Sequence, residues 1–396
     1  MNVQPILNRF LLNVTPSMHK VRRASLSACL DSLLNGAHAS ITSIGRSIHR
    51  NAKEKHRIKQ ADRLCGNQHL YQERIAIYHA LCHYWVAPGS HPIVLVDWSD
   101  LDSRGDLFLL RASRIFEGRA ITLFEQVHSN KTKEKPQTHK AFLHQFSQLL
   151  PEDCHPIIVT DAGFKVPWFQ LVLDCGWDYV GRVRQPNSYR ERDTDQWYPI
   201  VSLYQSATKQ PKMMNTHLTK VHEHPTTLVS YRSTPKGRNQ LTKKGQIAQN
   251  GKSKKHSKGA TDPWVLATSL KGKHKLAKRI VSIYQTRMQI EEGFRDMKSE
   301  RFGMGFNVNN SRMMHRVAIL VLLTTLASMI LLIVGMVTTI KGLAKDYQAN
   351  TIKKRNVLSL SFLGKRAIAD KSLKIPISDW VKAAQVLKQR ISYEVS

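Results

Sequence analysis

The sequence is short of acidic residues. It holds 29 aspartates and glutamates against 60 lysines and arginines, which leaves a formal net charge of +31 over 396 residues. An imbalance of this size argues against basic partners and predicts attraction to a polyanion, driven by the release of bound counterions. DNA, RNA and an anionic membrane surface all meet this condition. Because carboxylates are scarce, each one that follows an apolar run stands out.

Cysteine is also scarce. The five cysteines are odd in number and far apart, and they show no CxxC or Cys/His finger spacing. This argues against structural zinc and favours a reducing, cytosolic compartment. The first residues, MNVQPILNRFLLNV, carry a proline and an arginine within their apolar run and lack a small-residue cleavage site. A signal peptide is therefore not expected.

Long apolar runs are absent except for residues 317–337, which contain no charged residue. That length is sufficient to span a bilayer. Two threonines, a serine and a glycine dilute the run, which favours a helix buried in a larger core. The alternative is a membrane-associated protein whose basic regions meet anionic lipid, and sedimentation without detergent would distinguish the two.

Residues 1–90 are predicted to be helical, with a break at Asn35-Gly36 before serines and a threonine suited to capping. Two short helices around a glycine turn favour a helix-turn-helix-like DNA-binding region, although any small helical bundle has such turns. The basic run that follows also suits a solvated helix face; its residues are Lys53, Lys55, Arg57, Lys59 and Arg63.

From residue 91 the pattern changes to strands. Three β-rich runs, HPIVLVDWSD, DLFLLRASRIF and GRAITLFEQVH, predict a meander. A helix (HKAFLHQFSQLL), a strand (HPIIVTDAGF), a helix (VPWFQLVLDCG) and a strand (WDYVGRVR) follow. The order β-β-β-α-β-α-β predicts a mixed α/β sheet of the ribonuclease H type.

Residues 185–261 break this rhythm with short polar segments, and residues 224–260 carry lysines and arginines without any acid. We expect an insertion that is not part of the core sheet. Its basic tract, which includes Lys252, Lys254, Lys255 and Lys258, is either a solvated loop or a phosphate-contacting surface. The strand TDPWVLATSL then returns to the core pattern.

Two aspartates end apolar runs: Asp97 follows residues 92–96, and Asp161 follows PIIVT. A buried carboxylate is costly unless it is paired or bound to a metal. Two aspartates on neighbouring strands, with a glutamate from a packed helix, would form an all-oxygen site suited to Mg²⁺ or Mn²⁺. Asp100 and Asp102 are expected to be turn or capping residues, although the spacing also allows Asp100 as a ligand.

The stretch YQTRMQIEEGFRDMK, residues 284–298, is predicted to be one helix. At about 100° per residue, four side chains then share one narrow stripe, whereas Glu292 lies well away from it. The stripe consists of Tyr284, Arg287, Glu291 and Lys298. The alternative is an ordinary exposed helix whose charges form i,i+4 pairs.

The ordered acids Asp97, Asp161 and Glu291, together with the spacing Y-(2)-R-(3)-E-(6)-K, closely resemble the DDE transposases of bacterial insertion sequences that carry the YREK signature. The segments DWSD, TDAGF, PWVLAT and RMQIEEGFRDMKS carry the resemblance in the same order. It implies an α/β fold: a ribonuclease H-like catalytic core with a β-rich insertion, a helical N-terminal DNA-binding region and a helical C-terminal region. The expected divisions are 1–90, 91–184, 185–261, 262–310 and 311–396.

The resemblance also implies cut-and-paste DNA transposition through nicking, hairpin formation, hairpin opening and strand transfer. It assigns two Mg²⁺ ions, which Mn²⁺ can replace, to Asp97, Asp161 and Glu291. It further implies double-stranded DNA partners, namely terminal inverted repeats and target DNA, and a homodimer in a synaptic complex. The implied location is the bacterial cytoplasm, on DNA and without a membrane.

By the same resemblance, DNA phosphates are bound by Tyr284, Arg287 and Lys298. A flipped base stacks on Trp264, and Met288 helps to displace it. Trp264 is otherwise a core aromatic beside Pro263. The rival hypothesis is a non-catalytic DNA-binding repressor derived from a transposase, and the intact acidic triad argues against it.

Overall fold

The computed structural model describes residues 1–233, 246–251, 253–254, 259, 261–272, 275–349, 351–352 and 354–393. Internal contacts divide the chain into two compact units. The first unit comprises Met1–Cys154 and Met288–Ser396, and the second comprises His155–Arg287. The five divisions expected from the sequence stay a prediction.

The first unit begins with the predicted helices, which are α1 (Gln4–Val14), α2 (Lys20–Leu34), α3 (Ile41–Ser47), α4 (Glu54–Cys65) and α5 (Gln68–Trp85). The predicted break after α2 is confirmed, because Gly36 adopts a φ of +103°. Ser40 caps α3 by accepting a hydrogen bond from the backbone nitrogen of Ser43. Helices α3 and α4 touch at Gly45, where a side chain would collide with the backbone of Ile58.

The predicted meander is confirmed in the same unit. It consists of β1 (Ile93–Asp100), β2 (Leu107–Phe116) and β3 (Arg119–Ser129), paired antiparallel in sequence order. The helix α6 (Pro136–Leu149) follows, and its Phe142 stacks on Phe124 of β3 at 5.0 Å. Every residue of β2 is buried, because helices cover both faces of this part of the sheet.

The first unit ends with helices α10 (Met288–Lys298), α11 (Met314–Ile340), α12 (Leu360–Ala369) and α13 (Ile377–Tyr393). Helix α11 contains the apolar run of the sequence and is long and apolar enough to cross a membrane. Within the protein, 94% of its most apolar stretch is buried. It packs against α2, α5, β3, α12 and α13. The prediction of a buried core helix is confirmed.

The second unit contains the predicted alternation of strands and helices. Its elements are β4 (Ile157–Thr160), α7 (Val166–Asp174), β5 (Asp178–Arg182), β6 (Ser188–Glu191), β7 (Trp197–Pro199), α8 (Ser202–Ser206), β8 (Lys212–Leu218), β9 (His224–Tyr231), β10 (Trp264–Thr268) and α9 (Leu276–Gln285). Within this unit the strand order is β4-β5-β10-β9-β8-β6-β7. Strands β4 and β5 are parallel, and the other neighbours are antiparallel.

Residues 185–261 are rich in strands, as predicted, but the prediction that they are not part of the core sheet is wrong. Strand β9 pairs with β10 along its length, from Tyr231 opposite Trp264 to Thr227 opposite Thr268. The composition was misleading because residues 224–260 were treated as one basic segment. That segment joins a largely buried strand, His224–Tyr231, to the basic residues that follow it.

Candidate functional site

Asp97 lies within β1 and not at its end, so the sequence prediction of a strand end is wrong. Strand pairing continues from Asp97 opposite Arg111 to Asp100 opposite Phe108. Since strand side chains alternate between faces, Asp97 and Ser99 share one face and Trp98 occupies the other. The Trp98 indole Nε1 donates to His139 of α6 at 3.2 Å. The face that carries Asp97 is therefore the one opposite α6.

Helix α10 covers that face of β1. It buries Ile290, Phe294 and Met297, and its Lys298 Nζ donates to Ser99 Oγ at 2.8 Å. Glu291 precedes Lys298 by two helical turns and lies on the same side of the helix. Glu291 thus lies on the helix that packs against β1, the strand that carries Asp97. Burial lowers the pKa of Lys298; Asp100 opposes this shift and Arg111 adds to it.

The other carboxylates of α10 have a different environment. Glu292 pairs with Arg295 at 2.7 Å, and Asp296 pairs with Arg119 at 2.8 Å. Arg119 also lies 3.8 Å from Glu292. The alternative of an ordinary helix with i,i+4 charge pairs is wrong for these residues, because Glu292 pairs at i,i+3 and Asp296 pairs with a residue of β3. Nor does it hold for Lys298, whose ammonium contacts the strand that carries Asp97.

A buried ion pair adjoins Asp97, and the sequence reasoning missed it. Arg111, directly opposite Asp97 on β2, donates from Nε to Glu125 Oε2 of β3 at 2.7 Å. The exposed fractions are 4% for Arg111 and 1% for Glu125. Tyr78 and Thr325 donate to the other oxygen of Glu125 at 2.9 and 2.5 Å. The arginine inside the apolar run DLFLLRASRIF was the available signal.

The prediction of one continuous helix over residues 284–298 is wrong. Helix α9 ends at Gln285 and α10 begins at Met288. Between them, Thr286 Oγ1 donates to the carbonyl of Ile283 at 2.7 Å, and the Arg287 nitrogen donates to Tyr284. These i,i+3 contacts tighten the chain, so an angular count at 100° per residue does not carry across them. The stripe holds for Glu291 and Lys298 alone.

The second unit contains the other predicted residues. Asp161 directly follows β4, as predicted, and its Oδ1 accepts a hydrogen bond from the Gly163 nitrogen at 2.8 Å. Tyr284 is buried, and burial raises the pKa of its hydroxyl. Arg287 is the strongest opposing charge, whereas Asp161 adds to the rise. Asp161, Tyr284 and Arg287 are thus within electrostatic reach of each other.

Trp264 begins β10 and is half-buried. Its ring lies 5.0 Å from the Tyr284 ring in an edge-on contact and 5.8 Å from the Tyr231 ring. Met288 is the first residue of α10 and is also half-buried. In the basic tract, Lys254 is exposed. Lys252, Lys255 and Lys258 lie outside the described residues.

The donor chemistry of the helix–strand junction suits a hard cation, since Asp97 and Glu291 offer carboxylate oxygens. Among the described residues, however, no three His, Cys, Asp or Glu side chains are grouped to hold a metal ion. The first unit contains two of the three predicted ligands, Asp97 on β1 and Glu291 on α10. Asp161 belongs to the second unit.

An α/β protein with a net charge of +31 and a half-buried lysine on the helix that packs against β1 is suited to bind the phosphate backbone of nucleic acids. The family described as Transposase DDE domain matches residues 88–330, which is more than half of the chain. The protein belongs to this family of DNA transposases, which bind DNA and generally use divalent metal ions. No curated protein matches it.

Proposed function

We propose that this protein catalyses cut-and-paste transposition of a bacterial insertion sequence: nicking, hairpin formation, hairpin opening and strand transfer. The observation that carries the proposal is the junction of α10 with β1, where Lys298 contacts Ser99 beside Asp97 and Glu291 lies on the same side of the helix. All four steps are in-line displacements at phosphorus, so one set of residues can serve them in turn. A ribonuclease H-like core is part of this proposal.

Asp97, Asp161 and Glu291 would hold two Mg²⁺ ions, which Mn²⁺ can replace. When bound, such a pair activates the attacking oxygen and stabilises the leaving oxygen. The chain itself orients the carboxylates. Helix α10 is fixed on the sheet by Phe294 and Met297, and Arg111 contacts both residues, at 4.9 Å from the Phe294 ring and 3.3 Å from the Met297 sulfur.

Tyr284, Arg287 and Lys298 would hold DNA phosphates next to the scissile bond. Lys298 is half-buried and its ammonium donates to the Ser99 hydroxyl, and a phosphate would be a favourable further acceptor. Trp264 would stack on a base extruded for hairpin formation, with Met288 assisting its displacement. The half-buried ring of Trp264 leaves surface for a base.

The substrates would be the terminal inverted repeats of the element and then target DNA, bound by a homodimer in a synaptic complex. A groove of about 580 Å³ between α2 and α4 supports a DNA-contacting role for the N-terminal helices. Its lining is strongly basic, with His19, Arg22, Arg50, His56, Lys59 and Arg63. Phosphate contacts from such a surface place the protein on the duplex.

Within the family, we assign the chain to the subgroup with the YREK signature, similar to the transposase of the insertion sequences that flank the tetracycline-resistance transposon. The location that suits this activity is the bacterial cytoplasm, on DNA. The second candidate is a DNA-binding repressor that lacks catalysis. It shares the basic surface but would make no use of Glu291, which lies on the helix that packs against β1.

The test is incubation of the full chain with the terminal DNA of its element and Mg²⁺, followed by denaturing gels. A transposase gives nicked strands first, then hairpins, then blunt ends. A repressor gives a shifted complex and no broken strand. If nicks appear without hairpins, the proposed DNA-cleaving activity stands and the proposed hairpin step is rejected.

A further inference from the structure

Two arginines lie next to Asp161 at the end of the sheet in the second unit. Strands β4 and β5 are parallel, with Thr160 opposite Gly181, so Asp161 and Arg182 are the next residues at the same edge. Arg184 follows two residues later, and the Val183 nitrogen still donates to Val265 of β10 at 2.8 Å. Side chains two apart along a strand point to the same face. Arg182 and Arg184 therefore face the same side.

That side is also the side of Trp264. Arg182 pairs with Leu266 across β5 and β10, so Arg184 comes opposite Trp264 by extension of the same register. The guanidinium of Arg182 donates to the carbonyls of Asp262 and Pro263 at 3.1 and 3.3 Å. It is thus held against the residues that immediately precede the tryptophan.

Each guanidinium has a nitrogen donor, Nε, without a described hydrogen-bond partner. Arg184 donates from one terminal nitrogen to the carbonyl of Gly259, and Arg182 uses one terminal nitrogen for its two carbonyls. The Nε atoms of both arginines are buried and have no hydrogen-bond partner within the described part of the chain. Buried polar groups are nearly always paired, and exceptions in a native structure call for a ligand or a function.

Among the described residues that act on Tyr284 and Arg182, guanidinium groups outnumber carboxylates. Arg182, Arg184 and Arg287 all act on the buried hydroxyl of Tyr284, as does Asp161. Asp262 supplies a second carboxylate near Arg182. Burial lowers the pKa of Arg182, which shows that its charge is held partly away from solvent. Three guanidinium groups against two carboxylates leave room for an anion.

We propose that Arg182 and Arg184 form a second phosphate clamp, which binds a backbone phosphate of the DNA strand whose extruded base stacks on Trp264. The proposal rests on the proposed function. A guanidinium fork matches the oxygens of a phosphate, and its planar shape suits two parallel hydrogen bonds. With Arg287, the clamp would hold the strand on both sides of the base.

The test is a neutral-phosphate scan combined with mutation. Duplexes from the end of the element carry one uncharged methylphosphonate at successive positions, and anisotropy measures their affinity for the full chain. For the wild-type protein, we expect a loss of about tenfold at the clamped position. Arg182→Gln and Arg184→Gln should each bind unmodified DNA about tenfold more weakly. Their affinity should fall no further when the methylphosphonate is at the clamped position.

The controls separate the outcomes. Arg192→Gln removes an exposed arginine of the same unit and should show full additive losses at every position. The clamp would be overturned if the affinity losses from Arg182→Gln and Arg184→Gln added to the loss from the methylphosphonate at every position. If Arg287→Gln were still coupled to one phosphate, the proposed function would remain intact. If the wild-type protein never nicks DNA but Arg182→Gln is coupled to one methylphosphonate position, the proposed function is rejected and Arg182 remains part of an anion-binding site.

Thermal unfolding checks each variant before the scan. If Arg182→Gln fails to fold, Arg182→Lys replaces it in the scan, because lysine retains the positive charge and loses only the paired donors of the guanidinium. Coupling of Arg182→Lys to a single position supports the clamp. Additive losses at all positions mean that the arginine only fastens the backbone of residues 262–263.

Discussion

The four residues of the proposed YREK signature belong to two different units, and different contacts hold each pair in place. Glu291 and Lys298 lie on a helix fixed to a strand by one hydrogen bond and by buried Phe294 and Met297. Tyr284 lies on α9 and Arg287 lies in the turn between α9 and α10, among aromatic rings and arginines. In the proposed function, Glu291 binds metal ions, whereas Lys298, Tyr284 and Arg287 bind DNA phosphates. A motif continuous in sequence can therefore combine two separate tasks.

The largest expected effect is on the carboxylates. Asp97→Asn, Asp161→Asn and Glu291→Gln should each reduce nicking by at least about a thousandfold, because an amide cannot replace a carboxylate ligand of the metal pair. DNA binding should remain near that of the wild type, since the basic surface is unchanged. Denaturing gels with end DNA and Mg²⁺ measure the first quantity and anisotropy measures the second.

Glu292→Gln is the matched control, because Glu292 adjoins Glu291 on α10 but pairs with Arg295. Its nicking rate should stay within a few-fold of the wild-type rate. If Glu292 proved essential and Glu291 dispensable, the assignment of the two glutamates would have to be exchanged.

The second effect concerns the support beneath Asp97. Glu125→Leu leaves the Arg111 charge buried without its partner and should lower the free energy of unfolding by about 3–5 kcal/mol. The double variant Arg111→Met/Glu125→Leu should recover much of that loss, since both charges are then removed. Urea unfolding monitored by fluorescence provides the values.

An ion pair of the second unit serves as the comparison. Glu223→Gln removes the partner of Arg190 at an exposed site, 3.3 Å away, and should cost less than about 1 kcal/mol. Equal losses for Glu125→Leu and Glu223→Gln would contradict the supporting role of the buried pair.

The third effect is specific to one step. Trp264→Ala should still nick the transposon end but accumulate about ten to a hundred times less hairpin, because the extruded base loses about 1–3 kcal/mol of stacking. An abasic site at the flipped position removes the unstacking cost and should partly restore hairpins. Trp197→Ala, at another half-buried tryptophan of the same unit, is the control. Wild-type hairpin yield from Trp264→Ala would return Trp264 to a packing role beside Tyr284.

The smallest effect is expected for the basic tract. Replacement of Lys252, Lys254, Lys255 and Lys258 by glutamine should weaken DNA binding several-fold and reduce the salt slope by about 0.9 for each lost phosphate contact. Sequence preference should not change, since phosphate contacts carry no base information. A control set of exposed lysines in the first unit is Lys131, Lys371, Lys374 and Lys382. An identical salt slope for the tract variant and the wild type would show that these lysines do not contact DNA.

The sequence predicted the elements well where a local pattern decides them. The meander, the strand before Asp161 and the buried helix α11 follow from apolar periodicity and length. It failed where a single side chain or a distant strand decides. Thr286 is compatible with a helix interior, yet its hydroxyl bonds Ile283 and the helix ends there. The pairing of β9 with β10 joins segments that the sequence separates by a long basic tract.

The site shows the same division. Glu291 could be separated from Glu292 by helical spacing, because both residues lie on one helix with Lys298. The contributions of Ser99, Arg111 and Arg182 could not be predicted, since each depends on a partner far along the chain. Arg111 could have been noticed in the sequence because it is a charged residue within an apolar strand. The sequence around Arg182 has no feature that distinguishes it from other basic residues.

The packing of α11 also has a consequence for synthesis of the chain. Gly335 and Gly364 let α11 and α12 approach so closely that an added methyl group would meet the carbonyls of Leu360 and Leu331. Helices α12 and α13 leave the ribosome only after α11, so the face of α11 that they cover stays exposed in the nascent chain until they have been translated. During this interval the chain is exposed to aggregation and to chaperone binding. Slow translation of the last helices would then lower the yield of folded protein.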